Sequence, residues 1–180
     1  MKKYKVRSNW VALISYTGKE LTELCNKLGQ CPEIVFSNNP VHMNNPPNLP
    51  SQFFFALKKL DFFDMLKDII PNDALVTCHG FSWIIPDSIC NNYEMYNVHP
   101  GDICRYPELI GKDPQRKAIK LKLPSTGVVI HRITPDLDQG PIVKYKTFDI
   151  TEETNTEASL TRSLRDLSID MWVEFLNEKV

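Results

Sequence analysis

The sequence predicts an α/β fold in which a mostly parallel β-sheet is flanked by helices. Two apolar runs, 10–15 and 74–78, are almost uninterrupted, which is typical of strands buried on both faces. The first run, a helical pattern and a second strand over 10–36 form a βαβ unit, so we expect the sheet to begin parallel. Apolar residues at helical spacing over 156–176 predict a long terminal helix.

The first strand, 10–15, ends at the turn 16–18, and a helix is predicted over 19–28. Gly29 ends this helix, and 33–36 forms the second strand. The backbone N–H groups of the first turn, with a lysine beside them, form either an anion-binding site or an ordinary tight turn. The residues of this turn are Tyr16, Thr17, Gly18 and Lys19.

The next part of the chain combines a loop, a helix and a buried strand. The segment 37–52 is rich in Asn and Pro and predicts a surface loop, whereas 53–70 carries apolar residues at helical spacing. After the strand 74–78 come an apolar loop, 79–86, and a helix that begins at Pro86. Because loops normally face water, this one either packs beneath a neighbour or lines a pocket for a flat, partly apolar ligand.

A short strand over 94–98 leads into polar residues at its carboxyl end. Asn97 and His99 are two positions apart, so in an extended backbone their side chains point to one face. Pro100 and Gly101 then end the strand. Parallel sheets present chemistry at this edge, although the segment alone is equally a polar strand end with a solvated histidine.

The C-terminal third predicts a helix, an antiparallel hairpin and the terminal helix. Asp113 is expected to cap a helix that begins at Pro114. The strands 127–133 and 141–148 form the hairpin, and alternating lysines in the second strand predict one wet face near a sheet edge.

Composition limits the classes of function. With 180 residues, 42% apolar and 24% charged, and a net charge of −1, the chain is expected to form one domain, 1–180, that binds neither nucleic acid nor a membrane. No apolar run approaches the roughly 20 residues of a membrane helix, and no signal-peptide region follows the basic start, 1–7. Five cysteines without paired spacing favour reduced thiols in the cytoplasm over disulfides or zinc.

Three polar groups are candidates for chemistry. The amide of Asn97 can donate to an oxyanion, the imidazole of His99 can move protons, and a carboxylate in the turn 134–140 can orient that imidazole. Cys104 has no helix start or basic cluster to lower its pKa, so we interpret it as structural. Since no nucleophile of the chain is implicated, the set suits direct attack by a substrate nucleophile on a carbonyl.

Five short motifs occur in a specific order along the chain. They are VALIS at 11–15, GFSWIIP at 80–86, NVHP at 97–100, GVVIH at 127–131 and LDQGPI at 137–142. On these motifs, most of the chain resembles the folate-dependent formyltransferase superfamily, which includes glycinamide ribonucleotide, methionyl-tRNA and sugar N-formyltransferases. The resemblance implies a Rossmann-like, mostly parallel sheet with a C-terminal antiparallel hairpin and a terminal helix.

The resemblance also implies a catalytic set and a formyl donor. Asn97, His99 and Asp138 match the family's catalytic Asn, His and Asp, and the donor would be 10-formyltetrahydrofolate, without a metal. An amine would attack the formyl carbon while Asn97 and His99 stabilise the oxygen and Asp138 favours protonated His99. The donor would contact Phe81, Ser82, Trp83, Ile84, Ile85, Asp136, Leu137 and Gln139. The acceptor would contact Tyr16, Thr17, Gly18, Lys19, Pro100 and Lys112.

Departures from the family pattern concern the acceptor. The turn 16–19 stands where glycinamide ribonucleotide enzymes carry a phosphate loop, and Gly101 replaces the usual Ser. Without a basic face or the added C-terminal domain of the tRNA enzymes, a tRNA acceptor is not expected. We expect a small phosphorylated amine, either a nucleotide-linked amino sugar or a ribonucleotide amine such as glycinamide ribonucleotide, and a monomer or homodimer. The alternatives are a formyltetrahydrofolate hydrolase and a non-catalytic ligand-binding module on the same fold.

The remaining histidines have other interpretations. His131 matches a family position, but its place among Val and Ile in a predicted strand favours a hydrogen-bonded core histidine or one that supports the site. His42 and His79 are interpreted as loop residues without chemistry.

Overall fold

The structure is a computed structural model that describes residues 9–179, so the basic start of the chain lies outside the described residues. Its strands are β1 (Trp10–Ile14), β2 (Ile34–Ser37), β3 (Gln52–Phe55), β4 (Leu75–His79), β5 (Glu94–His99), β6 (Ser125–Arg132) and β7 (Ile142–Asp149). Its helices are α1 (Lys19–Leu28), α2 (Lys59–Ile69), α3 (Asp87–Cys90), α4 (Pro114–Lys120) and α5 (Glu157–Glu178). Short 3-10 turns lie at Pro40–Met43, Pro107–Leu109 and Glu152–Thr154.

The seven strands form one sheet in the order β3-β2-β1-β4-β5-β6-β7. Strands β1 to β5 are parallel, whereas β6 is antiparallel to β5 and β7 is antiparallel to β6. This confirms the predicted Rossmann-like α/β fold with its antiparallel C-terminal pair. Because the parallel strands all end at one edge, the polar residues that follow β5 and the apolar loop that follows β4 lie side by side.

Helices cover both faces of the sheet and give it two apolar cores. On one face, α1 and α5 bury Leu24, Trp172 and Phe175 against the sheet. On the other face, α2 and α3 bury Phe62 and Ile89. Each such side chain contributes roughly 1.5–3 kcal/mol by leaving water, which anchors the strand ends where the polar residues lie.

The helix predicted over 53–70 is wrong at its beginning, because the first part is the edge strand β3. Phe54 stacks on Phe36 of β2 with 5.2 Å between ring centroids. Phe53 and Phe55 stack on each other on the opposite face at 6.0 Å. Aromatic residues that alternate between two faces favour a strand, and here the packing against β2 outweighs the helical spacing.

One face of strand β7 is exposed to solvent, as its alternation predicts. The exposed face, however, carries the apolar side chains and not the lysines. Tyr145 is 62% exposed. The lysine face instead packs on α5, where Lys144 donates to Glu178 at 2.6 Å and Lys146 pairs with Glu174. The carboxylates of α5 allow the lysine stems to lie inward with their charges paired.

Two smaller expectations also change. Pro114 begins α4 as predicted, but Asp113 is left-handed at φ 54° and its side chain makes no capping hydrogen bond. His42 and His79 are buried and hydrogen-bonded, and the Nδ1 of His42 lies 2.7 Å from the Ser37 hydroxyl. Within the described part of the chain, no helix has the length and apolar character needed to cross a membrane.

Candidate active site

One edge of the sheet brings together an amide, two imidazoles and a carboxylate. Strand β5 carries Asn97 and His99, and the register of β6 places His131 opposite Asn97. Asp138 lies in the turn between β6 and β7, in the left-handed region at φ 54°. Aspartate reaches this conformation more readily than most residues, because its short side chain can bond locally.

The carboxylate of Asp138 is 9% exposed and lies between two imidazole rings. Its Oδ2 lies 3.3 Å from Nδ1 of His99, and its Oδ1 lies 3.5 Å from Nε2 of His131. The backbone N–H of Gly111 donates to Oδ2 at 3.1 Å. Oδ2 therefore has a backbone donor, Oδ1 faces the ring of His131, and the acidic turn is packed against the end of β5.

Burial and charge act in opposite directions on this pair. Burial raises the pKa of the Asp138 carboxyl, but the hydrogen bond with His131 and the charge of His99 outweigh it and lower that pKa below its usual range. Burial lowers the pKa of the His99 imidazole, against the attraction of Asp138, which raises it. The expected attraction between Asp138 and His99 is therefore present, but burial has the larger effect on the pKa of His99.

The distances around His99 indicate where its single proton lies. Its Nε2 lies 2.9 Å from the carbonyl oxygen of Leu109, a normal hydrogen-bond length, so the N–H is at Nε2. The 3.3 Å between Nδ1 and Asp138 is longer than the roughly 2.7–2.9 Å of a charge-assisted bond. In the neutral ring, Nδ1 then carries no proton and faces the carboxylate, so one proton can be bound between the two groups.

His131 is buried and hydrogen-bonded beside the site, in agreement with the sequence interpretation of this histidine. It is 3% exposed, and its Nε2 lies 3.2 Å from Nδ2 of Asn97. Its Nδ1 lies 3.1 Å from the carbonyl oxygen of Arg132. One ring thus joins the amide of β5 to the carboxylate of Asp138. The available signal was its position in a family motif just before the acidic turn.

An open cleft with mostly apolar walls lies beside these groups. Its lining side chains are Cys78, Phe81, Trp83, Ile84, Ile85, Asn97, His131, Ile133, Thr134, Pro135, Leu137 and Asp138. Phe62 of α2 supports one wall, with its ring centroid 5.3 Å from Phe81 and 5.4 Å from Trp83. The apolar loop after β4 therefore both packs on a neighbour and lines a pocket. His99 lies behind Asp138 and outside this lining, with 6% of its side chain exposed.

Five of the eight residues predicted to contact the donor line the cleft, namely Phe81, Trp83, Ile84, Ile85 and Leu137. Ser82 turns away, and its N–H and hydroxyl donate to the Ser15 hydroxyl at 2.8 and 3.0 Å. Asp136 and Gln139 shape the turn instead, because the N–H of Gln139 donates to the Asp136 carbonyl at 3.3 Å. The walls are more apolar than the sequence motif alone suggests.

The residues predicted to bind the acceptor lie outside this cleft. Tyr16 follows β1 and is 67% exposed. Gly18 precedes α1 at the N-cap position with φ 71°, and a Cβ there would clash with the side chain of Pro47. Pro100 is half-buried after β5, and Lys112 is exposed. In the described part of the chain, no three His, Cys, Asp or Glu side chains are grouped as metal ligands.

The sequence matches a family model and a set of curated proteins. The model, described as formyl transferase, matches residues 63–176. Methionyl-tRNA formyltransferase of Ehrlichia ruminantium (strain Gardel) is 32% identical over 124 residues, which are 68% of this chain and 39% of that protein. The methionyl-tRNA formyltransferase of Wolbachia pipientis subsp. Culex pipiens is 33% identical over 147 residues, 81% of this chain and 44% of that protein. The chain spans about two fifths of the length of these relatives.

Solved structures share the fold. Phosphoribosylglycinamide formyltransferase of Coxiella burnetii superposes with a TM-score of 0.79 and 22% identity, over 93% of this chain and 84% of that chain. Formyltetrahydrofolate deformylase of Pseudomonas syringae pv. tomato superposes with a TM-score of 0.74 and 17% identity, over 91% and 58% of the two chains. At these identities the likeness concerns the fold alone.

Proposed function

The chain belongs to the formyl transferase family, and from this premise we propose that it is an N-formyltransferase that uses 10-formyltetrahydrofolate. The observation that carries the proposal is the carboxylate of Asp138, which lies 3.3 Å from His99 and lines an apolar cleft together with Asn97. An amide donor and a proton acceptor at one end of such a cleft suit the addition of an amine to a formyl carbon.

The cleft has the chemistry that a pterin ring needs. Phe81, Trp83 and Leu137 supply apolar surface for a flat ring, and few polar groups interrupt it. Ile84 is 56% exposed at the rim, so apolar surface is already available before any ligand binds. In this proposal the formyl group of the donor points toward Asn97 and Asp138.

The amide of Asn97 stabilises the oxyanion in the proposed reaction. A neutral primary amine attacks the formyl carbon, a C–N bond forms, and the carbonyl oxygen becomes negative. The amide nitrogen carries two N–H groups, so one can face His131 while the other donates to this oxygen. Loss of one such donor typically raises the barrier by about 2.7–4 kcal/mol.

The proton of the attacking amine passes to the carboxylate of Asp138, which lines the cleft, and from there to Nδ1 of His99 behind it. With Nε2 already donating to Leu109, uptake of the proton at Nδ1 gives an imidazolium with an acceptor at each nitrogen. When the intermediate collapses, the bond between the formyl carbon and the folate nitrogen breaks, and the proton passes to that nitrogen. Atoms and charge balance without a metal or an enzyme nucleophile.

For the acceptor, we propose a small phosphorylated amine, as a nucleotide-linked amino sugar or a ribonucleotide amine. Tyr16, Lys19 and Lys112 are exposed, and in this proposal the two lysines bind the negative charge of the acceptor. The curated relatives are named methionyl-tRNA formyltransferases, and one of them is similar over 68% of this chain. Methionyl-tRNA therefore belongs in the test, although no nucleic-acid partner is expected.

A hydrolase is the second candidate, because water can attack the formyl carbon in the same site. A formyltetrahydrofolate deformylase has the same fold. A non-catalytic binding module is the third, and the convergence of Asn97, Asp138 and two histidines speaks against it.

One assay separates the candidates. The protein is incubated with 10-formyltetrahydrofolate, alone and with amino sugar nucleotides, glycinamide ribonucleotide or methionyl-tRNA, and release of tetrahydrofolate is followed. Release that depends on one amine, with a formylated product, supports the transferase. Release without any amine supports the hydrolase. No release with any acceptor, from a protein that binds tetrahydrofolate, supports the binding module and contradicts both enzymes.

A further inference from the structure

A three-residue segment, 109–111, contacts both members of the proposed catalytic pair through its backbone. The carbonyl of Leu109 accepts from Nε2 of His99 at 2.9 Å, and the N–H of Gly111 donates to Oδ2 of Asp138 at 3.1 Å. The carbonyl of Ile110, which lies between these two residues, accepts from Nζ of Lys117 at 2.6 Å. We call this segment the brace. Each of the three residues of the brace therefore makes one backbone hydrogen bond, and each bond is to a different side chain.

The geometry of the brace depends on a single glycine and on one helix. Gly111 has φ +82°, a left-handed conformation that L side chains rarely adopt and that aims its N–H at the carboxylate. Lys117 lies on α4, whose first residue, Pro114, is buried. An ammonium group that donates to a carbonyl at 2.6 Å makes a charge-assisted bond, stronger than a neutral one.

We propose, on the basis of the N-formyltransferase function proposed above, that Lys117 is a positioning residue that holds the brace against His99 and Asp138. By keeping the Leu109 carbonyl at Nε2, it fixes the proton of His99 on that nitrogen and leaves Nδ1 bare toward Asp138. Without the ammonium group of Lys117, the carbonyl of Ile110 loses its hydrogen bond to a side chain. A shift of about 1 Å at a catalytic group can lower the rate roughly a hundredfold.

The first test is kinetic and uses a matched control on the same helix. Lys117→Met removes the donor but keeps the apolar stem, and Lys117→Arg keeps a cationic donor. Lys120→Met changes an exposed lysine three positions further along α4. We expect Lys117→Met to lower kcat roughly ten- to hundredfold with the KM for the formyl donor nearly unchanged. Lys117→Arg should recover most of the loss, and Lys120→Met should match the parent protein.

The second test does not depend on activity. The nitrogen resonances of the His99 ring report which nitrogen carries the proton, and its ring N–H exchanges slowly while it is bonded to Leu109. Lys117→Met should mix the two tautomers and speed that exchange, whereas Lys117→Arg and Lys120→Met should not.

The outcomes separate this inference from the function on which it rests. A parent-like ring signal in Lys117→Met overturns the inference, whatever the rate, and so does a parent-like kcat. If the parent protein transfers no formyl group to any amine, the proposed function fails, and the ring signal alone then decides whether Lys117 holds the brace.

Discussion

Asn97 and His131 face each other across the antiparallel pair β5 and β6, with 3.2 Å between Nδ2 of the amide and Nε2 of the ring. The same ring nitrogen lies 3.5 Å from Oδ1 of Asp138. One imidazole therefore sets the separation between the amide and the carboxylate. Because Asn97 also lines the cleft, its second N–H remains available to a ligand.

Replacement of Asn97 by Ala should abolish most turnover without unfolding the protein. The loss of one oxyanion donor predicts a decrease in kcat of roughly 10²- to 10³-fold. Steady-state rates with the best acceptor, together with circular dichroism, check this. Asn177→Ala, at an exposed position of α5, is the matched control and should keep the parent rate. A near-parent rate in Asn97→Ala contradicts the role of the amide.

Stability should fall with acid in a way that depends on His99. Its pKa is lowered by burial below the ordinary value of 6.5, while Asp138 opposes this and His131 and Lys117 add to it. A group with a depressed folded pKa contributes stability above its unfolded pKa and loses it as the pH falls through the folded value. The free energy of unfolding should therefore decrease below about pH 6.5.

His99→Gln should flatten this decrease, as measured by urea unfolding at several pH values. His42, whose pKa burial also lowers, contributes to the same range, so part of the slope should persist in the variant. An unchanged slope in His99→Gln means that its imidazole does not titrate as a buried group.

Truncation of Leu137 should weaken binding of the folate donor. Leu137 lines the cleft and is 49% exposed, so Leu137→Ala removes ligand contact rather than core. The exposed half of the side chain corresponds to one or two methylene groups, so at roughly 0.8 kcal/mol for each the Kd for tetrahydrofolate should rise about four- to fifteenfold. Leu121→Ala is the control, since Leu121 has the same 49% exposure and lies outside the cleft lining. Equal affinities of the two variants, measured by calorimetry, locate the donor elsewhere.

Gly140→Ala should disturb the site through the backbone. A Cβ at this position would overlap the carbonyl oxygen of Arg132, which also lies 3.1 Å from Nδ1 of His131. The backbone must move, so both the free energy of unfolding and kcat should decrease. Gly29→Ala, with no atom near its Cβ but φ +73°, should cost about 1–2 kcal/mol of stability and leave kcat intact. Thermal unfolding and initial rates of both variants test the difference.

Local patterns predicted the elements whose burial is complete. Strands β1 and β4 are buried at every position, so an unbroken apolar run was sufficient to identify them. The aromatic run at 53–55 fits both a helix and a strand, and only its packing against Phe36 decides between them. The inward lysines of β7 depend on carboxylates from α5, which no property of the strand itself reveals.

The sequence by itself determined the α/β class, the family and the proximity of Asn97 to His99, because these follow from periodicity and motif order along the chain. Only the tertiary structure decided that His131 bridges Asn97 and Asp138, that His99 lies behind the carboxylate, and that the brace contacts both. Each of these depends on strand register or on a loop that meets a residue far away in sequence, as Gly111 meets Asp138. Such contacts are set by the packing of the whole domain, and no local pattern encodes them.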